Sequence, residues 1–452
     1  MTVLWFESAL IGERWESDVR LRISNGKIHV IEPGVRPDDG DERHAIGIPG
    51  LPNLHSHAFQ RAMAGLTEHR GLGDDDFWTW RDLMYHFLDR LDPDDVEAIA
   101  ALAYVEMLET GSTRVGEFHY LHHDPEGTAY ADRAEMASRI AAAAGASGIG
   151  LTLLPVFYAY GGFGGAEPGH GQRRFLNDVD GFARLVDASR DAVKALPDPI
   201  VGIAPHSLRA VTPEELAAIV PLAGGKPVHI HAAEQQREVD DCIAWCGRRP
   251  VEWLLGEAGA GEGWCLVHAT QITDAERQAL AKSGAVAGLC PITEANLGDG
   301  IFPAHAFIEE GGAFGIGSDS NVLIDAAEEL RTLEYGQRLM HRGRNLLASQ
   351  NRASTGASLF AGAVSGGARA LGISPGIAVG GSADIVSFDP NDLCVVGRSG
   401  DALLDGLIFA GRGSAIDCVW RHGEKVVSAG RHLRRDAIET RYRETIVRLL
   451  AS

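Results

Sequence analysis

LPNLHSH, residues 51–57, is a short apolar run that stops at two histidines one residue apart. Side chains two residues apart on a strand point the same way, so His55 and His57 present two imidazoles to one point. Taken singly, such a pair says little. Further apolar runs of the same kind follow it: STRVGEF (112–118), GIGLTLLPVF (148–157), IVGIAPHS (200–207), PVHIHAA (227–233), WCLVHAT (264–270), AVAGLCPIT (285–293) and AFGIGSDS (313–320). Helix-period stretches separate most of them, for example Pro93 to Glu109 and Thr273 to Ser283. Strand alternating with helix implies a parallel sheet, and eight such units fit a closed (β/α)8 barrel. An open doubly wound sheet would show a Gly-rich phosphate turn after an early strand, and none is present.

The later runs change the weight of the histidine pair. The fifth ends His229-Ile230-His231 with Glu234 three residues beyond, the sixth ends at His268, and the eighth at Asp319. All lie at C-terminal strand ends, the rim where barrel enzymes carry their chemistry. Unrelated core histidines would not gather on that one rim, so a metal site is expected. Imidazoles with a carboxylate suit zinc, which keeps a position open for water and lowers its pKa from about 15.7 to near 7. Hydrolysis is therefore expected rather than redox chemistry. His229 shares the side of His231 but lies one layer deeper, and a structural role is expected for it.

The chain ends read differently. Trp5 to Leu10, Val19 to Ile23 and Lys27 to Ile31 are short strands, with Asn25-Gly26 a hairpin turn. Ala383 to Phe388, Ile416 to Trp420 and Lys425 to Val427 repeat the style, with His422-Gly423 between the last two. Both ends together predict one small β-sandwich domain: 1–47 and 373–452, with a C-terminal helix, flanking a barrel at 48–372.

The bulk numbers bound the partners. The 452 residues are enough for one barrel and a smaller domain. A balance of 41 basic against 62 acidic residues, net −21, argues against nucleic acid or anionic membrane as partners, since both need a basic face. The start MTVLWFESALIGERWES lacks the pattern of a signal peptide, and no run is long enough for a membrane span. Six cysteines form no disulfide framework; Cys242 and Cys246 read as small residues on one helix face. A reducing cytoplasm is the expected location.

The order His-x-His, His-x-x-Glu, His, Ser-Asp resembles the deaminase branch of the amidohydrolase superfamily. The likeness covers nearly the whole chain, including GGSADIV at 380–386. It implies that His55, His57, His231 and Asp319 are zinc ligands, that Glu234 moves protons to the leaving nitrogen, and that His268 and Asp319 orient and deprotonate the water. Binuclear members carry a carboxylated lysine on strand four; here that strand carries His206, so one zinc per subunit is implied. A homodimer is implied as well.

A narrower likeness comes from LPNLHSHAFQRAMAGLTE at 51–68, from Trp78-Thr79-Trp80-Arg81, from Glu117-Phe118-His119-Tyr120 and from Pro205-His206-Ser207-Leu208-Arg209. These resemble the family within that branch that deiminates N-formimino-L-glutamate, a small dicarboxylate. On that likeness Arg81 and Arg209 bind the carboxylates bidentately, Tyr120 and His206 donate further hydrogen bonds, and Gln60 holds the formimino nitrogen or the amide-side N–H. Read without it, Arg81 is equally a surface helix residue stacked near Trp80, Tyr120 a core ring and His206 a satisfied rim histidine. The nearest rival is a deaminase or chlorohydrolase acting on an aromatic ring, which would call for stacking side chains instead of an arginine pair. A barrel that lost catalysis would show a broken metal set.

Other features read as structural. His119, His122 and His123 lie in a loop after strand two and are not expected to form a second metal site. Asp74-Asp75-Asp76 reads as a solvated loop or helix start rather than a calcium site. Gly161 to Gly165 is preferred as a mobile loop over the site, with a plain turn as the alternative.

Overall fold

The computed structural model describes residues 2–70, 73, 75–349, 351–411 and 415–451. Four N-terminal strands, β1 (Thr2–Ile11), β2 (Arg14–Ser24), β3 (Lys27–Glu32) and β4 (Glu42–Pro49), come first. Nine strands follow in the middle: β5 (Leu51–Ser56), β6 (Ser112–His119), β7 (Gly150–Phe157), β8 (Ile200–Val201), β9 (Ala204–Pro205), β10 (Val228–Ala232), β11 (Trp264–His268), β12 (Val286–Leu289) and β13 (Ala313–Ile316). The chain finishes with β14 (Ile385–Phe388), β15 (Ile416–Arg421), β16 (Glu424–Ser428), β17 (Arg431–His432) and the helix Arg435–Ala451.

The middle strands form one parallel sheet in the order β10-β11-β12-β13-β5-β6-β7-β8, with β9 beside β7. Parallel bridges from Ile203 to Val228 and from Ser207 to His231 join its two ends and close the barrel. Each of the eight runs read from the sequence supplies one stave. The fourth, IVGIAPHS, is broken into β8 and β9. Gly202 lies at the break, where a Cβ would overlap the Pro227 carbonyl oxygen, so only glycine lets the neighbouring chain approach so closely. The helix Pro93–Glu109 keeps its expected span, and the helix Asp274–Ser283 starts where Thr273 caps it.

Both chain ends contribute to a second sheet, in the order β17-β16-β15-β14-β4-β1-β2-β3. It is a single hydrogen-bonded path folded over on itself. Phe6 of β1 meets Trp420 of β15 edge to face at 6.3 Å, and Lys27 at the start of β3 bridges Ser382. The two layers expected of a sandwich are therefore present, but as one sheet. Strand β4, with Gly47 and Pro49 in its sequence, was not foreseen; it joins the two ends by pairing with β1 and β14. Where this domain meets the bottom of the barrel, Asp198 receives ion pairs from the buried Arg114 and Arg421.

The helix Thr355–Leu371 packs beneath the staves that end in His55 and Asp319. Gly366 lies against the Phe314 carbonyl of β13, and Gly367 touches Pro52 of β5. A Cβ on Gly366 would overlap that carbonyl oxygen. Replacing a helical glycine by alanine ordinarily gains about 0.5–1 kcal/mol, whereas forcing atoms into a packed contact costs about 1–3 kcal/mol. Gly366→Ala is accordingly expected to lower the midpoint of denaturant unfolding; an unchanged or higher midpoint would show that this contact does not set the packing.

Candidate active site

The barrel brings His55, His57, His231, His268 and Asp319 to one rim, all buried. His55 Nε2 lies 3.2 Å and His57 Nε2 3.3 Å from Asp319 Oδ1, and His55 Nε2 lies 3.1 Å from His231 Nε2. His268 Nε2 is 4.0 Å from Asp319 Oδ2 and 3.7 Å from Glu234 Oε1. Side-chain atoms of His55, His231, His268 and Asp319 all lie within 4.8 Å of one another.

Tautomers follow from the second ring nitrogen. His57 Nδ1 donates to the Phe118 carbonyl at 2.9 Å and His231 Nδ1 to the His206 carbonyl at 3.0 Å. Both Nε2 lone pairs therefore face the cluster. Burial pushes His55 down to about 3 and lowers His57 and His231 as well, so these rings stay neutral, as ligands must. For Asp319, burial works against the charged form, but the hydrogen bond from His55 and the surrounding imidazoles hold its carboxyl below the usual range. Neutral imidazole lone pairs and an ionised carboxylate converge on one dry point, a donor set that fits a divalent cation.

Backbone geometry at the rim is unusual. Ala233, His268, Ala269, Asp319 and Asn321 all have positive φ, between 44° and 70°. Non-glycine residues in this region are strained, and such strain concentrates at functional sites. Asn321 holds part of it in place. Its Nδ2 donates, at 3.1 Å each, to Ser56 Oγ and to the carbonyls of His57 and Asp319, locking β5 to the turn after β13. Glu238 acts similarly after β10, accepting from the Ala233 and Glu234 amides at 3.1 and 3.2 Å.

Around the cluster lies an acidic group. Burial raises the Glu234 carboxyl, so it holds a proton more readily than a free glutamate. For His268, burial disfavours the charged ring, but Glu234, Glu294 and Asp319 outweigh it and the pKa rises to about 10; a cation on Asp319 would work against that charge. Glu294 Oε1 sits 3.3 Å from His268 Nδ1 and 2.9 Å from the Cys290 amide.

One cavity connects this cluster to every substrate residue expected from the sequence: Gln60, Arg81, Tyr120, His206 and Arg209 line it together with His57, His231, Glu234, His268 and Asp319. Gln60 Nε2 donates to the Tyr120 hydroxyl at 2.9 Å, while its buried Oε1 has no partner. Arg81 and Arg209 each have a buried Nε without a partner. His206 is kept neutral by burial, with the nearby arginines adding to the shift.

Sequence reading missed Tyr85 and Tyr158, which line the same cavity, as well as Glu294 and Asn321. Glu294 lies five residues past the end of β12 and Asn321 two past Asp319, so position on the rim was the available signal. His229 Nε2 bonds the Ala370 carbonyl at 2.8 Å, the structural role expected of it. His122 and His123 bond separate carbonyls, of Val156 and Leu176, and share no ligand point. Asp76 caps the helix Phe77–Leu88, which fits the helix-start reading; Asp74 lies outside the described residues. The Gly161–Gly165 segment is pinned by Phe163, whose ring stacks on Trp245 at 5.6 Å.

The chain's likeness to known proteins is close. The model of the Amidohydrolase family matches residues 46–426, and that of the Formimidoylglutamate deiminase HutF, N-terminal domain, matches residues 1–45. The chain is 50% identical over 437 residues to the formimidoylglutamate deiminase of Pseudomonas aeruginosa, covering 96% of each protein. It is 28% identical over 393 residues to a 5-methylthioadenosine/S-adenosylhomocysteine deaminase of Natronomonas pharaonis, across 86% of this chain and 82% of that one. The crystal structure of an amidohydrolase from Brucella melitensis matches with a TM-score of 0.96 at 53% identity, over 100% of both chains.

Asn321 ties the segments that carry His57 and Asp319 together through their backbone carbonyls. Asn321→Ala is expected to weaken divalent-metal affinity about 10–100-fold, read by competition with a chromophoric chelator. Wild-type affinity in this variant would show that the rim keeps its shape without the amide.

Proposed function

Because this chain belongs to the amidohydrolase family and carries the N-terminal domain of its formimidoylglutamate deiminases, we infer that it converts N-formimino-L-glutamate and water to N-formyl-L-glutamate and ammonia, a step of histidine degradation. The observation that carries the reading is the pair Arg81 and Arg209, whose Nε groups lack partners inside the cavity that holds the metal-type cluster. A linear substrate with two carboxylates at one end and an amidine at the other matches both ends of that cavity.

The family is metal-dependent, and the ion we propose is a single zinc per subunit, held by His55, His57, His231 and Asp319. Support comes from the nitrogen and oxygen donors and from His206 standing where a bridging lysine would otherwise come. Such an ion supplies a water acidified toward a pKa near 7. Asp319 would orient that water and take its proton, joined by His268 once its ring, beside the charge of the cation, has given up its own proton. The water oxygen would add to the formimino carbon, turning the C=N bond to the terminal nitrogen into a single bond, and the carbonyl would form as that C–N bond then breaks. Glu234, kept partly protonated by burial, would give its proton to that nitrogen on addition, take the second proton from the added oxygen and pass it on at departure, so that the nitrogen leaves as ammonia. Gln60 Oε1 accepts a substrate N–H, Tyr120 and His206 donate to the substrate, and Arg81 and Arg209 clamp its carboxylates.

We divide the chain into a barrel at 48–372 flanked by 1–47 and 373–452, because the strands of the two ends pair with each other and not with the barrel sheet. Among the described residues no helix is long and apolar enough to cross a membrane. With no disulfide among its six cysteines, a cytoplasmic enzyme is the reading that fits, and the family likeness favours a homodimer.

Ammonia release from formiminoglutamate, and none from formylglutamate, is the direct test; no release from the first sinks the assignment. Glu234→Gln is expected to keep its metal and lose at least about 100-fold in kcat, with metal content and single-turnover rate measured on one preparation. Near wild-type turnover would remove the proton-transfer role. Arg209→Met is expected to raise KM about tenfold or more by loss of a charge-assisted bidentate contact, with a smaller change in kcat; an unchanged KM would contradict the clamp.

A further inference from the structure

Trp78 is not part of the cavity lining, yet three guanidinium groups gather on its indole. Arg81 Cζ lies 4.5 Å from the ring, Arg237 Cζ 4.6 Å and Arg209 Cζ 5.5 Å. All are within reach of the negative ring face. Arg81 and Arg209 line the cavity, whereas Arg237 is exposed and lies 3.8 Å from Asp241. Among the described residues neither Arg81 nor Arg209 has a hydrogen bond or ion pair, and both have a buried, partnerless Nε. Two like charges on long, flexible side chains repel; Glu238 and Glu234 act on Arg209 and the Tyr85 ring on Arg81, and the Trp78 ring attracts both.

The indole is well placed to do so. Asp76 Oδ1 accepts from the Trp78 amide at 2.9 Å and caps the helix Phe77–Leu88, which fixes the ring at the helix start. Arg81 follows one turn later on the same face. The Phe77 ring meets Trp78 at 5.2 Å with planes at 87°, limiting its swing. Arg209 comes from the loop after β9, and Trp78 is the ring that both arginines face, while Tyr85, 5.4 Å from Arg81, lies beside both as well.

We propose that Trp78 is a positioning residue of the dicarboxylate clamp: its ring holds Arg81 and Arg209 at a set spacing with their free N–H groups turned into the cavity. The proposal rests on the reading of these arginines as carboxylate binders. It assigns no contact between Trp78 and the reacting atoms.

The test compares wild type with Trp78→Leu, Trp78→Phe and Arg209→Met, all metal-loaded. It reads KM and kcat for formiminoglutamate, and the Kd of glutarate by calorimetry. Trp78→Leu is expected to raise KM and the glutarate Kd together by about five- to thirtyfold, with kcat nearly unchanged. Trp78→Phe should recover part of the loss, because a phenyl ring keeps a negative face. Should the leucine variant not fold, Trp78→Met, with similar bulk and no ring, takes its place with the same expectation. If the ringless variant binds glutarate like wild type while Arg209→Met does not, the clamp stands and the role of Trp78 is overturned. If Arg209→Met also binds glutarate like wild type, the clamp reading itself fails. A phenylalanine variant no better than leucine would also overturn the ring's role.

Discussion

Everything at this site depends on holding neutral imidazoles and one carboxylate in a dry space with their lone pairs turned toward one another. Lone pairs repel, and a buried polar atom left without a partner costs about 1–3 kcal/mol. The protein meets this with its sheet. His57 and His231 commit their Nδ1 protons to the Phe118 and His206 carbonyls of neighbouring staves, so the hydrogen-bonded barrel itself aims the other nitrogen inward. The left-handed residues His268 and Asp319, with Asn321 bracing the turn, add backbone strain to the same rim. A cation satisfies all of these acceptors at once, which is the physical sense in which the fold anticipates a metal.

The cavity carries charges of both signs. Glu234, Glu294 and Asp319 crowd around His268 at the metal end. Arg81 and Arg209 line the same cavity without an ion pair, and Glu238 and Glu234 act on Arg209 at longer range. A protein of net charge −21 thus places two arginines without ion pairs in the cavity that holds the cluster. Electrostatics at this range is decided by neighbours within a few ångströms, since charges farther off are screened.

Much of this was legible in the chain. The staves announce themselves because a parallel strand buried on both faces reads as a continuous apolar run, and the metal-type residues stand at the ends of those runs. Strand β4 escaped notice because Gly47 and Pro49 weaken its strand signal, and the break within IVGIAPHS was hidden because the close approach of Pro227 to Gly202 is a contact across the barrel. The second sheet was foreseen as two layers; that they are one folded path depends on pairing between residues several hundred positions apart.

Periodicity and residue type were sufficient for the staves, for the rim and for the identity of the donors, because these are local: a side chain two residues along a strand returns to the same side whatever the rest of the chain does. Spacing between distant groups was not local. That His55 and His231 approach to 3.1 Å, that Glu294 reaches His268, that Asn321 ties two strands, and that one indole gathers arginines from separate elements all follow from closure of the barrel, which brings together residues far apart in sequence. Those distances, and with them the orientation of every proton and lone pair at the site, were decided only by the tertiary structure.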